Sequence, residues 1–191
     1  MTPKTLQQLG HLQYTHAFIV AQNDRILVIT SHESLSAVFV DNVEAPIPNA
    51  NERNVTDSVL VPREARLIAV QAVSTTESCA GFIGSVTNNY LVTNASWKCS
   101  EYGDERWFLL GFDDSSWPHA EEVGRNGDVP ACPNLDEQVP DISVTAHWIW
   151  TEQQDPDPVT TPVPILRADH VPAAVFCRGY LRKQLSLCSV L

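Results

Sequence analysis

Apolar positions along this chain come in short runs broken by turn-forming residues, without the three-to-four spacing that gives a helix one greasy face. Runs at 17–20, 25–29, 35–40, 59–61, 66–73, 82–86, 90–93, 107–111, 146–151 and 174–180 are mostly rich in β-branched or aromatic residues, and each predicts a strand. The turn-prone Gln22-Asn23-Asp24 between the first two predicts a hairpin. Four prolines fall between 153 and 164, which rules out both a helix and a central strand there and predicts a surface loop. Only 120–123 and the tail from Leu181 have mildly helical composition. Many short strands without alternating helices predict an all-β chain folded as a two-sheet antiparallel sandwich. One domain would run from 1 to 180, with 1–45 supplying N-terminal strands and 181–191 a tail.

Composition narrows the partners more than it names them. The chain has 191 residues, 43% of them hydrophobic, which is enough for a real core. Its net charge is −11, so nothing in bulk would neutralise phosphates, and a nucleic-acid partner is excluded. The acidity is local: residues 101–157 hold fourteen acids against Arg106 and Arg125, a net −12, and the remainder is close to neutral. Such a stretch reads as solvated loop surface, or as a site for a hard cation such as Ca2+, which collects carboxylate and carbonyl oxygens on irregular backbone.

Cysteines and termini bear on the compartment. No apolar run approaches the 18 residues of a membrane span, and residues 1–16 lack the apolar stretch of a secretory signal. The five cysteines, Cys79, Cys99, Cys132, Cys177 and Cys188, have no C-x-x-C spacing, so two disulfides and one leftover thiol are expected. Two sequons, at Asn54 and Asn94, are compatible with glycosylation of a secreted protein, and the chain then reads as part of a longer one. The competing reading is cytosolic: the terminal Cys188-Ser189-Val190-Leu191 matches a prenylation pattern, with Arg178, Arg182 and Lys183 upstream.

A set of segments carries a family likeness. Ala65-Arg66-Leu67-Ile68-Ala69-Val70, Gly81-Phe82-Ile83-Gly84-Ser85, Thr93-Asn94-Ala95-Ser96-Trp97-Lys98-Cys99, Phe112-Asp113-Asp114-Ser115-Ser116-Trp117-Pro118-His119-Ala120, Ala146-His147-Trp148-Ile149-Trp150-Thr151 and Phe176-Cys177-Arg178-Gly179-Tyr180 follow in that order. Together, over roughly 60–180, they resemble the galactose-binding-domain-like jelly-roll sandwiches. The resemblance implies a noncatalytic extracellular or cell-surface binding module, for carbohydrate in several such domains, with the N-terminal strands completing the sandwich.

Within that likeness the segment from Asp113 to Trp117 is the most telling. Its short polar side chains can bond their own turn while Trp117 lies across the sandwich end. Trp117, His119, Asp113 and Asp114 are the candidate ligand residues, with Asp113 and Asp114 the candidates for Ca2+. Trp148 and Trp150, two apart, are expected on one face of a strand with Ile149 on the other. Four of the cysteines allow three pairings, and the expected one joins Cys79 to Cys99 and Cys132 to Cys177, with Cys188 unpaired or bonded outside the chain.

Catalytic patterns do not emerge. His11, His16, His32, His119, His147 and His170 form no metal-ligand spacing, and there is neither a G-x-S-x-G elbow nor a phosphate-cradling glycine loop. Neighbouring carboxylates in a turn, as at Asp113 and Asp114, are seldom aimed at one glycosidic bond. The expectation is a non-enzyme that binds glycans or extracellular proteins. Its alternatives are a structural or adhesive domain of a larger surface protein, or an accessory domain of a hydrolase.

Overall fold

The computed structural model describes residues 24–75, 79–129, 132, 135–151 and 173–181. Among them ten strands form two five-stranded antiparallel sheets that pack face to face. The first sheet holds β1 (Arg25–Ser31), β4 (Asp57–Val61), β6 (Phe82–Val86), β8 (Glu121–Arg125) and β9 (His147–Trp150), in the order β4-β1-β6-β9-β8. The second holds β2 (Ser34–Val40), β3 (Val43–Glu44), β5 (Leu67–Ser74), β7 (Lys98–Ser100) and β10 (Ala173–Tyr180), in the order β3-β2-β5-β10-β7. Except at β2–β3 and β8–β9, successive strands lie in opposite sheets. The two-sheet antiparallel sandwich that the short apolar runs predict is therefore the fold. The one helical element among the described residues is the three-residue turn Thr87–Asn89, and no helix is long and apolar enough to cross a membrane.

Strand alternation sorts the side chains into layers. Ile68, Val70 and Ala72 of β5 point inward with Leu27 and Ile29 of β1, Val38 of β2, Phe82 of β6, Ile149 of β9 and Val175 of β10, forming the main core. Trp97 completes it, donating its indole N–H to the Val92 carbonyl at 2.9 Å. Its ring lies against Gly179, where any Cβ would collide with it.

Both outer faces are also covered, which is why several strands are apolar on both sides and read as unbroken hydrophobic runs. On the first sheet, Ile83 and Trp148 meet Val129, Cys132, Leu135, Val139, Ile142 and Ala146 from the segment between β8 and β9. Asn126 secures that cover: its Nδ2 donates to Val139 O at 3.1 Å and to Ile142 O at 3.0 Å, and its Oδ1 accepts from Val139 N at 2.8 Å. On the second sheet, Leu67 and Ala69 lie under Trp107 and Trp117, with Phe39, Phe108, Leu110, Phe112 and Phe176 around them. Residues 101–118 thus form a strap over the second sheet.

Several local expectations are corrected. β1 pairs with β4 on one side and β6 on the other, and the 17–20 half of the expected hairpin lies outside the described residues. Residues 17–20, the proline-rich 153–164, the tail beyond Leu181 and Cys188 lie outside the described residues. Residues 107–111 are turns of the strap: Trp107, Phe108 and Leu110 pack onto the second sheet without strand alternation. Residues 90–93 contribute only an isolated bridge between Val92 and Ser85. Residues 120–123 are not helical; Glu121–Arg125 is an edge strand whose pairing with β9 overrides the helix propensity of its glutamates. Trp148 and Ile149 do point to opposite layers, while Trp150 is half-buried against the main core.

The four expected cysteines form two disulfides, in another combination. Cys79 joins Cys132, with Cα atoms 5.7 Å apart, and Cys99 joins Cys177, with Cα atoms 4.1 Å apart. The expected Cys79–Cys99 and Cys132–Cys177 bonds are ruled out by register, since β7 lies beside β10 and sets Cys99 directly opposite Cys177. Cys132 instead sits in the cover of the first sheet, beside the chain that leads from Cys79 into β6. Two such bonds point to an oxidising environment.

Candidate functional site

The strap holds three of the four candidate ligand residues, with His119 just past its end, and its geometry gives them different roles. It is built from tight turns. Asp104 accepts from the Arg106 amide at 2.7 Å, Leu109 N donates to Arg106 O at 2.9 Å, and Phe112 N donates to Leu109 O at 3.0 Å. At its far side Leu110 N reaches the Asn42 carboxamide oxygen at 2.9 Å, fixing the strap to the β2–β3 turn. Phe108 stacks on Phe39 with centroids 4.1 Å apart, and Trp107 meets Phe176 edge-on at 5.1 Å.

Register supplies the anchor beneath. Lys98, Arg178, Ala69 and Phe39 form one cross-strand row on the outer face of the second sheet, so two cations stand side by side. Adjacent like charges are unfavourable unless an anion joins them. Asp114 does so: its Oδ2 accepts from Arg178 Nε at 2.8 Å, and Lys98 Nζ lies 3.6 Å from Oδ1 while donating to the Asp114 carbonyl at 2.8 Å. Arg178, fully buried, spends its other donors on the carbonyls of Trp107 and Leu109 and on the Tyr180 hydroxyl. Tyr180 in turn donates to Asp114, and burial, reinforced by that bond, pushes the phenol above its usual range.

Of the four candidate ligand residues, only Asp113 therefore faces a ligand-sized space. Asp114 is buried in the ionic anchor. Trp117 is buried against the sheet, with Phe112 edge-on at 5.4 Å, rather than lying across the sandwich end. His119 is exposed and bridges to Lys98.

Asp113 lines an open cleft of about 510 Å3 between the strap and the β2–β3 turn, together with Asn42, Arg106, Leu109, Leu110 and Phe112. The Ser115 hydroxyl and amide hold the Asp113 carboxyl below the usual carboxylate range, so it is an anion at neutral pH. Phe112 offers an aromatic ring, Asn42 an amide and Arg106 a guanidinium that also pairs with Asp104 at 3.2 Å.

A second depression, of about 480 Å3, lies on the outer face of the first sheet, between Ile26, Val28, Asn88, Asn89, Asp141 and Val144. It has no aromatic wall, and its hydroxyls serve the fold. Thr87 Oγ1 bonds both the amide and the carbonyl of Ile26, at 2.9 and 3.0 Å, and Ser85 Oγ accepts from Ser143 N at 3.0 Å.

The acids of 101–157 that the structure describes are spread over the strap, the edge strand β8 and the cover of the first sheet. Among the described residues no group of three or more His, Cys, Asp or Glu side chains converges as a metal site. Of the sequons, Asn54 sits in an exposed turn with left-handed backbone (φ 58°), and Asn94 is half-buried with its Oδ1 accepting the Ser96 amide at 2.8 Å. Sequence reasoning missed Arg178 and Tyr180 as supports of the strap, although a lone arginine inside the apolar run AAVFCRGY signals a buried, paired charge.

Comparison with protein-family models, with curated proteins and with solved structures gives no match.

Proposed function

We propose that this protein is a noncatalytic extracellular binding module of the galactose-binding-like kind, taking a glycan in the cleft beside Asp113. The observation that carries the reading is the composition of that cleft. A half-buried phenylalanine can receive the C–H face of a sugar ring, while a carboxylate, an amide and a guanidinium on the same walls can meet its hydroxyls. The two disulfides and the exposed sequon at Asn54 support a secretory setting. Calcium enters the proposal through Asp113, the one member of the Asp113–Asp114 pair not held in an ion pair with Arg178.

A glycan-array screen of the oxidised protein, run in calcium and in chelator, tests the reading. Selective binding that is lost in both Asp113→Ala and Phe112→Ala, with their folding checked by circular dichroism, is the expected result. Loss with chelator alone assigns the ion to the site. The second reading, a structural or adhesive domain, draws on the burial of four tryptophans and half-burial of the fifth, which leaves no open indole for stacking. Silence on the array from demonstrably folded protein favours it.

A further inference from the structure

At the opposite end of the sandwich from the cleft lies a buried histidine without a hydrogen-bonding role for its ring. His32 stands in the turn from β1 to β2, at 4% exposure, and neither ring nitrogen has a partner. Asn42 follows the far end of β2, which at about 3.3 Å per residue is roughly 20 Å away. Three pieces of chain meet around the turn. The His32 amide donates to Gly81 O at 2.9 Å, next to the disulfide-bonded Cys79. The Asn54 amide donates to Ser31 O at 3.3 Å, and Thr30 Oγ1 donates to Val55 O at 2.8 Å. Glu33 ties the third piece, accepting from both the amide and the hydroxyl of Thr75 and pairing with Arg53 at 3.4 Å.

We propose that His32 is an acid-sensitive latch: its neutral ring packs the β1–β2 turn against residues 53–55 and 79–81, and its protonation opens that junction while the rest of the sandwich stays folded. A neutral imidazole can remain buried with its polar atoms idle at modest cost, whereas an imidazolium carries a charge and two N–H donors that need acceptors. Among the described residues, the charged groups facing the ring are Arg53, from the 51–54 turn, which opposes protonation, and Glu33, from its own turn, which favours it, as the Cys79 backbone does to a smaller extent. Burial dominates, with Arg53 next, and together they hold the ring below its ordinary 6.5.

The sign follows. A depressed histidine adds stability that is present above its unfolded pKa and is lost as pH falls through its folded value. Once exposed, the ring titrates normally, so acid favours the open junction. The Cys79–Cys132 bond keeps residue 79 beside the cover of the first sheet, which confines the opening.

The test is amide hydrogen exchange of the oxidised protein at pH 7.5 and 5.0, corrected for intrinsic rates. The His32 and Asn54 amides are expected to exchange on the order of tenfold faster at the lower pH, with main-core amides unchanged, and His32→Phe is expected to abolish the acid effect. An equal acid effect in His32→Phe overturns the latch, as does uniform acceleration across the core. Should His32→Phe fail to fold, the wild-type ring is followed by NMR. Titration at or above 6.5 without local exchange overturns the proposal, and titration below it, coupled to acceleration at those two amides, upholds it. These outcomes are independent of whether any glycan binds.

Discussion

The two covers of the sandwich solve one problem by different chemistry. Each lays an irregular segment on a sheet face, and each must satisfy the backbone groups that it buries. The cover of the first sheet is held by a covalent bond, Cys79–Cys132, and by a neutral amide, Asn126, which answers both Val139 and Ile142. The strap on the second sheet has no covalent tie of its own; its Trp107 and Leu109 carbonyls are answered by a buried cation that needs Asp114 to stay where it is. A neutral clamp is indifferent to charge and fails by small steps. An ionic one is secure only when complete, because losing either partner leaves the other buried and uncompensated.

The largest effect should come from breaking the ionic clamp. Arg178→Met keeps the bulk but strands two carbonyls and Asp114, and should cost about 3 to 5 kcal/mol in denaturant unfolding. Trp117→Ala, which empties the middle of the strap, should cost about as much through the cavity it leaves. A melt unchanged by either substitution would show that the strap is not part of the cooperative fold. Replacing Cys79 and Cys132 together by alanine should cost about 2 to 4 kcal/mol and leave the strap's near-ultraviolet tryptophan signal intact. Asn126→Ala, which loses three hydrogen bonds yet strands no charge, should cost about 1 to 3 kcal/mol. The smallest effect is an alkaline one. Tyr180 has a raised pKa, so the stability it adds is complete below its unfolded value of 10.0 and is lost as pH rises through the folded value. A Tyr180→Phe variant should lose less stability than wild type between pH 9 and pH 11; equal slopes would remove Tyr180 from the clamp.

What the sequence makes legible follows the range of the cause. Strands such as β1, β2, β5 and β6 are visible because branched apolar residues mark them locally. β7 and β8 are not: KCS is too short to show a period, and EEVGR is a polar edge defined only by its neighbour β9. WFLLG reads as a strand for the same reason that it makes a good strap, since it is apolar throughout. The site fails in a more instructive way. Asp113 and Asp114 are equivalent on paper, yet one faces the cleft and the other is an internal counter-ion, because an arginine 64 residues further along arrives over only one of them. The disulfide pairing is likewise a statement about which strands lie side by side, and no local pattern encodes it.

The position of β10 also bears on how the chain is made. It is inserted between β5 and β7, so while ribosomes are still extending the chain, the second sheet stands as an open edge at β5. The clip at Cys177, the guanidinium of Arg178 and the phenol of Tyr180 all arrive with that one late strand. That sheet therefore cannot be completed until residues 173–180 have been made. During the several seconds of synthesis between β5 and β10, at roughly 5 to 20 residues per second, that side of β5 is an unpaired edge open to pairing with another chain.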